Sequence, residues 1–173
     1  MNRILMSSIL IATLAVGACT NPDRFGGEGS GSGIGATAPA TGGIVPGSAN
    51  DPTSTAYFQQ AIGDRVLFEV DQSTLTPAGQ ATLNGQATWL LSNADYQAVI
   101  EGHADEQGTR EYNLALGARR ANAAQEYLVS KGVPSSRMRV VSYGKERPIE
   151  ICSNEACYAK NRRAVTVLAG GLS

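Results

Sequence analysis

Apolar and polar positions divide the chain into three stretches of different physical character. Positions 4–16 are apolar apart from Ser and Thr, and follow a start that carries Arg3. Positions 26–49 hold nine Gly, one charged residue (Glu28) and no aromatic, without periodicity. From position 57 onward, short β-branched runs alternate with segments whose apolar residues recur at helical spacing.

The third stretch predicts an ordered series of elements. Arg65-Val66-Leu67-Phe68-Glu69-Val70 reads as a strand. Thr76 and Pro77 start a helix as cap and first helical residue. Leu83, Ala87, Leu90 and Leu91 then fall on one face, with Trp89 on the apolar side, until Asn93-Ala94-Asp95 ends it. Positions 97–101 form a second strand, and 111–131 the longest helix, closed by Gly132 and Pro134. A third strand covers 139–143, a short helix 156–162, and a last strand 164–168. The order β-α-β-α-β-(α)-β implies an α+β fold, with helices on one face of a small mixed four-stranded sheet.

The other two stretches read as an address and a tether. Thirteen apolar residues are too few for a bilayer span, which needs roughly 20, but fit the core of a secretory signal over 1–18. The run ends in Val16-Gly17-Ala18-Cys19, which resembles a lipobox whose Cys19 is acylated; the alternative is an ordinary signal peptide with a nearby Cys. Thr20, Asn21 and Pro22 put no acid directly after Cys19, the pattern for sorting to the outer membrane. The Gly-rich stretch within 19–56 cannot bury enough apolar surface to offset its ordering entropy and reads as a flexible linker. As a coil, the 37 residues from Thr20 to Ala56 span roughly 30–37 Å. The folded domain is then 57–173. With Cys19 lipidated, Cys152 and Cys157 remain as a pair that an oxidising compartment allows to bridge; two free thiols are the alternative.

Charge narrows the function. Fourteen basic against fifteen acidic residues give a net charge of −1, which argues against nucleic acid as partner. Three Cys and one His leave no complete metal shell of the zinc type once Cys19 is set aside, and no cofactor motif is present. The densest polar stretch, from Glu101 through His103, Asp105, Glu106 and Gln107 to Asn113, joins the end of the second strand to the longest helix. Asn113 and Arg120 are seven apart, two helical turns, so they share a face. With Asp105 at the helix start, an acid, an amide and a guanidinium could receive a zwitterion. The spacing alone favours an exposed Asp105–Arg120 ion pair over a ligand site, with Asn113 as a helix-start hydrogen-bonder. His103 reads as a loop-fixing hydrogen-bond partner, and Arg162 and Arg163 as a solvated pair or the frame of a partner surface.

The stretch from Phe68 to Leu168 resembles the OmpA-like peptidoglycan-binding domain, in its lipid-anchored Tol–Pal branch. The resemblance rests on Phe68-Glu69-Val70-Asp71, Glu101-Gly102-His103-Ala104-Asp105-Glu106 and Gly108-Thr109-Arg110-Glu111-Tyr112-Asn113-Leu114-Ala115-Leu116-Gly117. Arg119-Arg120-Ala121, Ser142-Tyr143-Gly144-Lys145-Glu146-Arg147-Pro148 and Asn161-Arg162-Arg163 extend it. It implies a peptidoglycan stem-peptide site for meso-diaminopimelate, with Asp105 on the ammonium and Arg120 on the carboxylate. Asn113 supplies the amide, Thr109 and Leu116 line the groove, and Asp71 closes it. Val70 and Gln107 stand where the family often has Phe and Arg, a departure that implies altered affinity. The resemblance also implies TolB and the Tol complex as partners on a surface overlapping the groove, an outer-membrane lipid anchor, and a part in constriction at division. Two competing classes fit less well. A hydrolase lacks a nucleophile with a plausible base, and adjacent Asp105 and Glu106 rarely flank one bond. A motor stator anchor needs an uncleaved membrane helix with a functional acid.

Overall fold

A computed structural model of the chain describes residues 44–151 and 153–170. Cys19, the apolar start, Cys152 and most of the Gly-rich stretch lie outside the described residues. The packed region begins earlier than the expected Tyr57. The Trp89 indole Nε1 donates to the Pro52 carbonyl at 2.7 Å, and the Tyr96 hydroxyl to the Thr53 carbonyl at 3.1 Å. Ser54 is buried and caps the first helical segment, α1 (Thr55–Tyr57), by accepting from the Tyr57 N–H. A π-helical turn, Phe58–Gly63, continues it and sets the buried Phe58 ring at a tilt, 4.9 Å from Trp89. Sequence reasoning stopped at the Gly-rich composition and missed these aromatic-to-carbonyl anchors.

Strand β1 (Arg65–Leu67) leads to helix α2 (Pro77–Ser92), whose Thr76 cap accepts from the Gly79 N–H as the Thr-Pro pair predicts. Leu83, Ala87, Trp89 and Leu90 are buried on one side of α2. Leu91 is 49% exposed, against expectation, because it lies one residue past the buried stripe, on the flank that turns to solvent. Strand β2 (Gln97–His103), helix α3 (Arg110–Ser130), strand β3 (Met138–Gly144), helix α4 (Glu155–Asn161) and strand β4 (Arg163–Ala169) follow. The sheet order is β1-β4-β2-β3: β2 runs parallel to β3, and β4 pairs antiparallel with both β1 and β2. A parallel β2–β3 pair requires a long crossover, and α3 supplies it. The expected α+β fold and mixed sheet are therefore present.

The register sorts the strands into two faces. Val66, Ala98, Ile100, Met138 and Ala164 are buried on the side that packs against α2 and α3. Seating α3 on the sheet depends on two glycines. A Cβ on Gly102 would lie 1.8 Å from the Gly117 carbonyl oxygen, and one on Gly117 would lie 2.8 Å from the Gly102 oxygen. The missing side chains let the helix touch the strand backbone, which brings the start of α3 against the end of β2. No helix among the described residues is long and apolar enough to cross a membrane.

Gly102→Ala is expected to destabilise the fold by about 3 kcal/mol, at the upper end for overpacking because the clash is with backbone. A lowered urea midpoint against an unchanged slope is the measurement that checks it.

Candidate functional site

Three segments meet where the start of α3 abuts β2: residues 69–72 after β1, residues 104–109 after β2, and the first two turns of α3. They enclose an open groove of about 510 Å³ lined by Val70, Asp71, Asp105, Gln107, Gly108, Thr109, Tyr112, Asn113 and Leu116. Five of the six residues expected to bind ligand, Asp71, Asp105, Thr109, Asn113 and Leu116, line this one groove.

The local sequence explains each placement. Thr109 is the N-cap of α3, accepting from the Tyr112 N–H at 3.2 Å. Gly108, at φ +90°, turns the chain into that cap. The Asn113 amide donates to the Gln107 carbonyl at 2.7 Å and holds the loop against the helix. Lys145 reaches across from the end of β3 and donates to the Gly108 carbonyl at 2.7 Å. Asp71 is the one non-glycine in the left-handed region among the described residues, at φ 57°, and accepts from the Tyr112 hydroxyl across the groove. Aspartate tolerates that conformation better than most residues.

Arg120 is placed differently from expectation. It is fully buried, lies behind the groove and does not line it. Its guanidinium donates to the carbonyls of Gln72 (2.8 Å), His103 (2.8 Å) and Glu69 (3.2 Å). Two helical turns do put Arg120 and Asn113 on the same face of α3. That face turns inward, however, and the long side chain finds backbone acceptors before it finds the opening. Burial pushes its pKa down to about 10, against the pull of Asp105, so it remains a cation at neutral pH. Nor is Asp105 paired with Arg120: its Oδ2 accepts from Arg162 Nη1 at 3.2 Å, and its Oδ1 from the Gln107 N–H at 3.3 Å.

Arg162 and Arg163 are not solvated. Both are buried: Arg162 holds the Phe68 carbonyl, Asp105 and Glu155, and Arg163 holds the carbonyls of Asn161 and Arg147. His103 departs from expectation too. Neither ring nitrogen makes a hydrogen bond among the described residues, and Glu101 stands 3.6 Å from Nε2. Its backbone carbonyl, through Arg120, does the loop fixing. Sequence reasoning passed over Tyr112 as a groove residue, although its place three residues after the Thr109 cap puts it on the first turn beside the loop.

The charge of the lining is one-sided. Asp71 and Asp105 are the charged residues that face the groove, and none of the lining residues is basic. The opposite pole comes from backbone. The first N–H groups of α3 have no carbonyl four residues back, and the helix dipole places partial positive charge there. The groove therefore offers carboxylates to a cation and a helix start to an anion, with Val70, Tyr112 and Leu116 as apolar walls. Among the described residues no group of three His, Cys, Asp or Glu side chains could hold a metal ion.

Comparison with known proteins extends this picture. The OmpA family pattern matches residues 67–162. The chain is 48% identical over 161 residues to the peptidoglycan-associated lipoprotein of Rhizobium meliloti (strain 1021), covering 93% of this chain and 85% of that one. It is 41% identical over 156 residues to the protein of the same name from Pseudomonas aeruginosa, covering 89% of each. The crystal structure of the peptidoglycan-associated lipoprotein from Burkholderia pseudomallei is similar at a TM-score of 0.62 and 39% identity, covering 70% of this chain and 98% of that one. The C-terminal domain of Helicobacter pylori MotB shares the fold, with a TM-score of 0.59 at 19% identity over 63% of this chain and 86% of that one.

Two expectations follow from the geometry. Arg120→Ala removes three hydrogen bonds to carbonyls, of which that of Glu69 still accepts from the Gln72 N–H, and is expected to cost on the order of 3 kcal/mol of stability, read as a lowered urea midpoint. Burial, with Arg163 and Arg147 nearby, holds His103 at about 4, whereas an unfolded His titrates near 6.5. The unfolded chain therefore takes up the proton first. Stability from this residue is full above about pH 6.5 and is lost as pH falls through 4, about 3 kcal/mol in all. Urea midpoints between pH 7 and 5 should fall for the wild type, and His103→Leu should flatten that slope.

Proposed function

The chain belongs to the OmpA family, and on that premise we propose that it is a lipid-anchored, non-enzymatic clamp between the outer membrane and peptidoglycan. The relatives are named for association with peptidoglycan, and the family is one of binding proteins, not enzymes. The observation that carries the reading is the groove itself: two carboxylates and the Thr109 cap of α3 line the same space of about 510 Å³, part of it apolar.

A free amino acid centre at the end of a peptide stem suits such a groove. The meso-diaminopimelate of the stem presents an ammonium and a carboxylate on one carbon. Asp105 and Asp71 take the ammonium, and the N–H groups at the start of α3 take the carboxylate. Asn113 keeps the 104–109 loop in register with that helix start, and Leu116, Val70 and Tyr112 cover the methylene chain. In this arrangement Arg120 serves the site by holding its walls rather than by gripping the ligand. Val70, with its small side chain, and Gln107, with no charge, leave the groove wider and less basic than Phe and Arg would.

Acylated Cys19 and the Gly-rich tether complete the clamp. The lipid holds one end in the outer membrane, and the tether lets the domain reach the wall without fixing its orientation. In the same reading the domain binds TolB, and the Tol complex couples it to envelope constriction at division. Because the TolB surface overlaps the groove, TolB and peptidoglycan exclude each other, and a ternary complex on isolated sacculi would overturn that exclusion.

The decisive measurement is calorimetric binding of a diaminopimelate-containing stem peptide. The wild type should bind, and Asp105→Asn should weaken binding about 10- to 100-fold, the worth of a charge-assisted hydrogen bond. Absence of binding by a folded wild type, or equal binding by the variant, would end the proposal.

A further inference from the structure

The guanidinium behind Asp105 is shared. Arg162 lies between two carboxylates on different elements: Asp105, on the groove floor with 11% of its side chain exposed, and Glu155, in the first turn of α4 with 64% exposed. Its Nη1 reaches Asp105 Oδ2 at 3.2 Å and Glu155 Oε2 at 3.4 Å, while Nη2 donates to Glu155 Oε1. The third nitrogen, Nε, donates to the Phe68 carbonyl at 3.2 Å, and the Phe68 N–H donates back to the Arg162 carbonyl at 3.0 Å. Arg162 is thereby fixed to the segment that carries Val70 and Asp71. Neither Arg162 nor Glu155 lines the groove.

We propose that Arg162 is a positioning residue for ammonium recognition, and that Glu155, although outside the groove, sets how strongly the groove holds a cation. This rests on the reading of the groove given above. One cation divided between two anions leaves a net charge of −1, and the part of Asp105 that Arg162 does not neutralise faces the ligand. With Glu155 present, the fork turns its Nη2 arm toward α4 and meets Asp105 with Nη1 alone. Without Glu155, both arms are free to close on Asp105, and a bidentate pair is nearly neutral toward its surroundings.

Glu155 is well placed for this task. Asn154 caps α4, accepting from the Cys157 N–H at 3.1 Å, so the first turn is held in place. An acid in that turn is favoured by the helix dipole. Its carboxyl is held below the usual carboxylate range, chiefly by the hydrogen bond from Arg162, so it is ionised at neutral pH.

The test compares two ligands on the full-length protein: a diaminopimelate stem peptide with its free amino group, and the same peptide acetylated there. A purely structural role moves both affinities together, whereas control of the ammonium subsite moves their ratio. Wild type should prefer the free amine. Glu155→Gln should lower that preference about two- to fivefold, the scale of a partly exposed ion pair, with the protein still folded and its urea midpoint only slightly lowered. Glu155→Asp, which keeps the charge, should restore it. Arg162→Lys should also move the preference away from the wild-type value, since an ammonium has no fork to divide between both carboxylates and the Phe68 carbonyl. A wild-type ratio in Glu155→Gln, or in Arg162→Lys, would overturn the proposal. A wild type that binds both peptides equally would instead refute the reading of the groove itself.

Discussion

The architecture of the groove depends on one buried cation. Arg120 carries its charge from the middle of α3 into the space behind the 69–72 segment and the end of β2, where three carbonyls accept its hydrogen bonds. A charge there is costly unless each nitrogen is hydrogen-bonded and opposite charge is near. The carbonyls of Glu69, Gln72 and His103 meet the first condition, and the attraction of Asp105 and Asp71 meets the second. The Phe68 ring, 5.3 Å from the guanidinium, closes the remaining side. Segments far apart in sequence are thus pinned to one side chain, and the groove is the space left between them.

A second guanidinium repeats the device one layer away. Arg162 joins Phe68 to Asp105 and to α4, so both loops that wall the groove are backed by buried arginine. The consequence is a layered charge distribution: cations behind, carboxylates in front, and the helix start beside them. A ligand entering the groove meets the carboxylates, not the buried Arg120 and Arg162. This ordering explains how a domain from a chain of net charge −1, with arginines dense in its motifs, presents an acidic groove.

The helix–strand contact makes this layering possible. Because Gly102 and Gly117 let α3 rest on the β2 backbone, Arg120 sits close enough to reach the His103 carbonyl, one residue beyond Gly102. A wider helix–sheet spacing would withdraw the guanidinium from its acceptors and open the back of the groove. The same contact places the Thr109 cap and the Asn113 amide beside the 104–109 loop, so cap, loop and groove are set by one packing distance.

The sequence by itself determined the elements, their order and most of the groove. Thr76-Pro77, the Thr109-to-Asn113 run and the β-branched strands are local signals, carried by residues within a few positions of one another. That is why α2, α3 and the sheet strands fall within a residue or two of expectation, apart from β1, whose far end falls three residues short. Asp105, Thr109, Asn113 and Leu116 were legible for the same reason: one loop and two helical turns hold them all. What only the tertiary structure decided is the partner of each charge. Helical spacing gave the face of Arg120 but not the depth of that face, and so not its carbonyl acceptors. The Asp105–Arg162 pair spans 57 residues and the Trp89–Pro52 anchor 37, and neither has a sequence signature. Long-range pairing is set by how the sheet and helices pack. A flexible arginine or an indole N–H takes whichever acceptor that packing brings within 3 Å or so, and no local pattern records the choice.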